Sequence, residues 1–345
     1  MRSIFDLCLP DLTYFVTTHG QPAYRAKQIW QAVYGDLAPT ADAITTIPKA
    51  LREPLGAEFA FNRLVPISEA KSSDQQTRKL LFQLPDGKQI EAVLMGYEKR
   101  RTACISTQAG CAMGCVFCAT GQMGFLRHLS AGEIVEQVLW FARELKQRDD
   151  HLTNIVVMGM GEPFHNYDAT MQAVDRLNDA DGFNFGARRI TISTVGLAPM
   201  IERFAAEKRQ VNLAVSLHAA TDNLRTELLP INKKYPLAVL FAAVRTYYET
   251  THRRVTFEWA LIQGKNDTPE QARALAKLTH DLPCHVNVIP LNPTRDYAGR
   301  ATTRERAAAF KAALEQHHLS CTIRVRRGID INAGCGQLAT ASEFP

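Results

Sequence analysis

The 345-residue sequence has no early apolar stretch long enough for a secretion signal or a membrane span. The nearest candidate, Ile4 to Leu9, is broken by Asp6. That absence points to a cytoplasmic protein whose eight cysteines face a reducing compartment, where clustered cysteines read as metal ligands rather than disulfides. Low-complexity segments are absent too. With 46% hydrophobic and 22% charged residues, the composition excludes wholesale disorder. A strong charge imbalance is also missing. The net charge of +5 and pI near 8.7 are compatible with a nucleic-acid partner without requiring one. The length leaves room for one domain of about 250 residues and a smaller one.

A further absence concerns metal ligands. No second Cys-x-x-Cys and no His pair at finger spacing occurs, so a closed four-ligand zinc site or a four-cysteine ferredoxin site is not spelled out. What is present is Cys111, Cys115 and Cys118, spaced three residues and then two. Three thiolates leave one iron of a [4Fe–4S] cluster without a protein ligand, and an open iron can bind a substrate. This spacing resembles the radical S-adenosylmethionine (SAM) superfamily, which implies that the free iron chelates the amino and carboxylate groups of SAM. A three-cysteine zinc knuckle with a distant fourth ligand is the alternative; separately, Cys104, seven residues before Cys111, could in principle be a fourth cluster ligand.

Residues 1–60 read as a separate helical segment, with apolar residues at helical spacing in Asp11–His19, Ala23–Tyr34 and Thr46–Leu55. Arg25, Lys27, Lys49 and Arg52 there suit either solvated faces or an RNA-docking surface. Residues 61–100 change to period two, with strands expected at Leu64–Ile67, Arg78–Leu84 and Gln89–Tyr97 and a turn at Pro85-Asp86-Gly87. From 101 to 345 strands alternate with helices. Strands are expected at Ala103–Thr107, Asn154–Met160, Arg189–Thr194, Asn212–Leu217, Val255–Ile262, His285–Leu291 and Cys321–Arg327. Helical patterns between them carry caps at Ser130 with Glu133 and at Thr268-Pro269 with Gln271. The fold class is therefore α/β: a partial, open (β/α)6 barrel with a small N-terminal helical domain and a short β extension.

In such barrels the C-terminal strand ends form the active face. Four unusual polar motifs fall there: Gly159 to Pro163, Ser193 to Gly196, Ser216-Leu217-His218 and Pro290 to Pro293. Gly161 lets backbone approach a ligand. Glu162 and Ser193 can hydrogen-bond ribose hydroxyls or an amino group, and His218 and Asn292 can orient an adenosine. Singly, each has a structural alternative, since a strand-end Ser is usually a turn residue and a lone His is more often structural. Together with Ser216 and Leu217 they make a candidate cofactor site.

These motifs make the resemblance specific. The chain is similar to the RlmN/Cfr family of radical SAM adenosine methyltransferases over its whole length. Residues carrying the likeness are Gly20 to Ile29, Ser106 to Cys111, Gly159 to Pro163, Leu229 to Asn232 and Gly328 to Leu338. The last stretch holds Cys335, beside Gly334 where the family usually has alanine. The resemblance implies a radical route, because an adenine carbon between two ring nitrogens is too electron-poor to attack the SAM methyl group. One SAM would methylate Cys335. A second, on the cluster, would yield the 5′-deoxyadenosyl radical that activates this methyl group for addition to the base. Cys104 would then form a disulfide with Cys335 and free the product, and Glu91 would remove the ring proton. Were the family assignment wrong, Glu91 would read as a structural carboxylate at a strand end. Cys8, Cys284 and Cys321 read as inert buried thiols.

The implied substrates are adenosine 2503 of 23S rRNA and adenosine 37 of tRNA, with a flavodoxin or ferredoxin as electron donor, acting on a monomer. The base must be splayed out to reach the site. Arg324 and Arg326, on one face of the strand leading to Cys335, can meet phosphate. Pro163 and Phe257-Glu258-Trp259 look more like the C2-methylating RlmN branch than the C8-methylating Cfr branch. A non-catalytic iron–sulfur or zinc RNA-binding module is the alternative of another class, and it leaves Cys335, Cys104 and Glu91 without a purpose.

Overall fold

A computed structural model describes residues 1–324 and 326–340. Strand β1 (Arg2–Ser3) opens a helical segment made of α1 (Leu9–Thr18), α2 (Arg25–Trp30) and α3 (Lys49–Glu58). Strand β2 (Phe59–Ala60) closes it by pairing in parallel with β1. Phe5, Phe15, Trp30 and Leu51 of this segment belong to one apolar core that continues into the rest of the chain. Arg25 and Arg52 donate to the carbonyls of Thr46 and of Thr45 and Ile47, so both guanidinium groups shape the loop before α3. Cys8, expected to be buried, is exposed at the start of α1, where its backbone N–H and thiol both donate to Asp11. Cys284 and Cys321 are buried.

Strands β3 (Val65–Lys71), β4 (Thr77–Gln83) and β5 (Gln89–Tyr97) form an antiparallel meander that joins β6 (Arg100–Cys104). A short hairpin of β7 (Gln108–Gly110) and β8 (Phe125–His128), which the strand pattern did not predict, brackets the cysteine loop and α4 (Ala119–Gln122). Then come α5 (Ala131–Lys146), β9 (Asn154–Val157), α6 (Tyr167–Asn178), β10 (Ile190–Thr194), α7 (Ala198–Ala206) and β11 (Asn212–Ser216). The chain ends with α8 (Asp222–Leu228), α9 (Leu237–Thr251), β12 (Val255–Leu261), α10 (Pro269–Leu278), β13 (Cys284–Pro290), α11 (Arg304–Gln316) and β14 (Ser320–Ile323).

One ten-stranded sheet results, in the order β14-β13-β12-β11-β10-β9-β6-β5-β4-β3. From β6 through β14 all pairs are parallel, each crossover carrying helices, and the sheet does not close on itself. This is the partial α/β barrel expected from the alternation. Both expected caps are present, as a Ser130–Glu133 capping box and as a bond from the Gln271 N–H to the Thr268 hydroxyl. Three strands stop three or more residues earlier than expected. β6 ends at Cys104 and β9 at Val157, but the two chains stay bonded beyond these ends: the Ile105 N–H donates to the Val156 carbonyl (3.0 Å) and the Gly159 N–H to the Ile105 carbonyl (3.0 Å), so closely that a Cβ at Gly159 would lie 2.7 Å from that carbonyl. β14 ends at Ile323, and Val325, within the strand expected at Cys321–Arg327, lies outside the described residues.

Glu136 on α5 fixes the connection between the helical segment and the meander. Its Oε1 accepts the backbone N–H groups of Arg63 (2.6 Å) and Leu64 (2.9 Å), while its Oε2 is buried without a partner. Burial pushes this carboxyl up to about 7, against those two bonds. A raised folded-state pKa means that the folded chain holds the proton more tightly. Stability from this group is therefore complete below the ordinary value near 4.5 and is lost as pH rises through about 7. Glu136→Gln keeps the acceptor and removes the charge. We expect it to stabilise the protein by on the order of 3 kcal/mol at pH 8 and to make little difference at pH 4.5, read by urea unfolding at the two pH values. An equal effect at both would contradict this account.

Candidate active site

The C-terminal ends of the parallel strands surround a cavity of about 140 Å³. Cys111, Cys115 and Cys118 line it together with Gly161, Glu162, Ser193, Ser216, His218, Asn292 and Cys335. The cysteine loop is held at this mouth from two sides: the Cys111 N–H donates to Gly124 O (2.8 Å) and the Val116 N–H to Leu228 O (3.1 Å). Gly161 has φ +101°, and a Cβ there would lie 2.6 Å from the Gln108 side chain, so no larger residue fits.

Glu162 is buried, and its two carboxylate oxygens accept from the Phe164 N–H (3.0 Å) and the Val195 N–H (2.8 Å). Burial raises its pKa to about 7. Ser193 and Ser216, on adjacent strands, bring their hydroxyls to 3.4 Å. His218 adopts φ +58°, and its Nδ1 accepts the Ala260 N–H at 2.9 Å, so the ring proton sits on Nε2. Burial lowers its pKa to about 3, which keeps the ring neutral. The Asn292 amide donates to the Cys335 carbonyl (3.0 Å) and leaves its Oδ1 buried without a partner. Leu217 is not brought to the cavity. Its side chain lies in the apolar core, and its carbonyl accepts from Arg225.

A second cavity, of about 70 Å³, lies next to the first and shares Met158, Ile289, Asn292, Cys335 and Leu338 with it. Cys104, Tyr97, Arg324, Arg326 and Arg327 complete its lining. Cys104 thus lies apart from the three-cysteine cavity, which weighs against the fourth-ligand alternative. All eight cysteines are free, so the Cys104–Cys335 disulfide implied by the resemblance is not formed. Burial raises the thiols of Cys104 and Cys111 to about 12, whereas Cys335 is exposed. Glu91 lines neither cavity. Its buried carboxylate is paired with Lys79 (2.8 Å) and accepts the Ala339 N–H (2.9 Å).

Arg225 and Lys79 escaped the sequence reading. Arg225 is fully buried and donates to the carbonyls of Val195 (2.7 Å) and Leu217 (3.3 Å) and to Asn232 Oδ1 (2.8 Å), so it ties the ends of β10 and β11 together. The signal was its position just ahead of the motif Leu229-Pro230-Ile231-Asn232. At Gly334 a Cβ would stand 2.6 Å from the Asn292 and Gln337 side chains, so two side-chain amides pack closely against this position.

The relatives agree with this geometry. Residues 105–278 match the radical SAM superfamily. The chain is 49% identical, over its full length and 94% of the relative, to the probable dual-specificity RNA methyltransferase RlmN of Chloroflexus aurantiacus. It is equally 49% identical, over 99% of the chain and 95% of the relative, to the dual-specificity RNA methyltransferase RlmN 1 of Myxococcus xanthus. The crystal structure of a radical SAM methyltransferase from Sphaerobacter thermophilus superposes with a TM-score of 0.95 at 49% identity, covering 98% of this chain and 99% of that one. The protein is a radical SAM enzyme and belongs to the RlmN family of RNA methyltransferases.

Membership implies a [4Fe–4S] cluster and SAM. Among the described residues no three His, Cys, Asp or Glu side chains already stand around a metal position, and the fit of the lining to both groups is one of donor chemistry. Three soft thiols from one loop face a common cavity. The unpartnered Asn292 Oδ1 offers an acceptor to the hydroxyl and amino donors of SAM, as does Glu258 Oε2, which has no hydrogen bond and stands 3.7 Å from the Arg324 guanidinium. Because Cys104 stands outside that cavity, Cys104→Ala is expected to retain a full complement of iron after anaerobic reconstitution, whereas Cys118→Ala loses most of it. Iron analysis with the visible absorption spectrum checks this. Loss of iron from Cys104→Ala would make Cys104 a ligand.

Proposed function

We propose that the protein methylates C2 of adenosine in RNA, at adenosine 2503 of 23S rRNA and adenosine 37 of tRNA. We place it in the cytoplasm as a monomer that takes electrons from a flavodoxin or ferredoxin and uses two SAM per turnover. The observation that carries this reading is the position of Cys335, which lines both cavities: the three-cysteine cavity on one side and the Cys104 cavity on the other. A carrier that is loaded at one site and unloaded at another needs such a place. Relatives named as dual-specificity RNA methyltransferases support the substrate class.

Cys111, Cys115 and Cys118 would hold the cluster. Gly161, Glu162, Ser193, Ser216, His218 and Asn292 would hold SAM, with Leu217 fixing the backbone between the last strand-end serine and His218. When bound, cluster and SAM would supply the methyl group, the radical that an electron-poor ring carbon requires, and the acceptor for the one electron the adduct gives up along with its ring proton. Cys335 accepts the methyl group on sulfur and presents it to the base. In the resulting adduct Glu91 takes the ring proton. The Cys104 thiolate attacks the Cys335 sulfur: an S–S bond forms, the S–C bond breaks, and its electron pair passes to the former methyl carbon, which gains a proton. Arg326 is exposed beside the Cys104 cavity and Arg324 and Arg327 line it, so phosphates flanking a splayed-out base meet positive charge there.

The test is mass spectrometry of nucleosides from 23S rRNA and tRNA treated with the reduced holoenzyme, run with Glu91→Gln alongside. We expect 2-methyladenosine in both RNAs. We expect the variant to load Cys335 normally but to release product about 10²- to 10⁴-fold more slowly. Formation of 8-methyladenosine would overturn the regiochemistry, and normal turnover by Glu91→Gln would remove the base assignment.

A further inference from the structure

Lys79 and Glu91 stand on the same face of neighbouring antiparallel strands. Lys79 is opposite Val93, two residues beyond Glu91, so the two side chains are diagonal neighbours. Lys79 Nζ reaches Glu91 Oε1 at 2.8 Å and donates to the Asn332 carbonyl at 3.3 Å. The other carboxylate oxygen of Glu91 accepts the Ala339 N–H at 2.9 Å. Both side chains are shielded, at 13% and 4% exposure. Asn332 lies three residues before Cys335 and Ala339 four after it. One ion pair therefore grips both arms of the loop that carries Cys335.

We propose that Lys79 is a positioning residue: with Glu91 it forms a clasp across the Cys335 loop that couples the place of the carrier cysteine to the availability of the carboxylate. The second half of this inference rests on the reading of Glu91 as the base. A carboxylate held by Ala339 can take a ring proton only once that arm lets go, and it must still be ionised when it does. Among the described residues Lys79, from β4, is the charged group facing it. The C-terminal segment offers the Ala339 amide. Ser106 donates to the Glu91 carbonyl, and the Met160 sulfur accepts its backbone N–H. Burial raises the Glu91 pKa and Lys79 lowers it. Removing Lys79 thus both loosens the Asn332 arm and favours the protonated, inactive acid.

The test uses anaerobically reconstituted holoenzyme with Lys79→Met and Lys79→Arg. In Lys79→Met, amide hydrogen exchange across residues 333–339 should quicken while iron content and methylation of Cys335 by SAM persist. Release of methylated RNA should fall about 10²-fold, and the acidic limb of its pH profile should move to higher pH. Lys79→Arg, which keeps charge and donors, should restore both exchange protection and the position of the limb. Should Lys79→Met not fold, Lys79→Gln replaces it with the same expectations. Unchanged exchange overturns the clasp whatever the activity. Faster exchange combined with normal turnover by Glu91→Gln removes the base reading and leaves the clasp standing.

Discussion

Two hydrogen bonds join the end of the cysteine loop to a segment more than two hundred residues later. The Ala119 N–H donates to the Gly336 carbonyl at 2.8 Å, and the Thr120 hydroxyl donates to the Leu338 carbonyl at 2.6 Å. Both donors immediately follow Cys118. Through them the C-terminal segment crosses the barrel mouth beside the three thiols, and Cys335 comes to line two cavities at once. Asn292 and Gln337 secure the same segment from the β13 side, through the Cys335 and Pro293 carbonyls. Without this crossing the barrel would still hold its cysteine loop, but the Cys335 thiol would have no fixed relation to it.

The electrostatics follow from the same enclosure. Cys111, Glu162 and His218 are buried at the strand ends, and burial pushes each toward its neutral form: the thiol and Glu162 upward, His218 downward. Neutral thiols bind metal only on losing their protons, so cluster binding and deprotonation are linked. Burial pushes Glu91 upward as well, but there an ammonium group within hydrogen-bond distance opposes the push. The groups needed as ligands sit in an uncharged pocket, whereas the carboxylate assigned to proton transfer has a counter-charge.

Much of this was legible in the chain. Alternating periods of 2 and 3.6 located every parallel strand of the ten-stranded sheet and every long helix, but not the short parallel pair β1–β2. The three-then-two cysteine spacing and the strand-end motifs located the cavity lining, since backbone turns at strand ends leave compositional traces. What the sequence hid depends on long-range pairing. Leu217 sits inside a motif of ligand-facing residues, yet strand alternation turns its side chain into the core. Glu91 reads as an isolated acid until its neighbour strand supplies Lys79 and the C-terminal segment supplies Ala339. The β7–β8 hairpin was missed because its strands are short and their partners are separated by the cysteine loop. Arg225 looks like any helical arginine until three carbonyls and an amide converge on it.

The central claim is that Cys335 carries the methyl group to the RNA and Cys104 releases it. The most direct measurement is to incubate reduced, SAM-loaded Cys104→Ala holoenzyme with RNA and separate the products under denaturing conditions. The account predicts a covalent protein–RNA species that survives denaturant, with the RNA fragment mapped by mass spectrometry to Cys335 through a single bridging carbon. Free methylated RNA formed at the wild-type rate, with no such species, would contradict it.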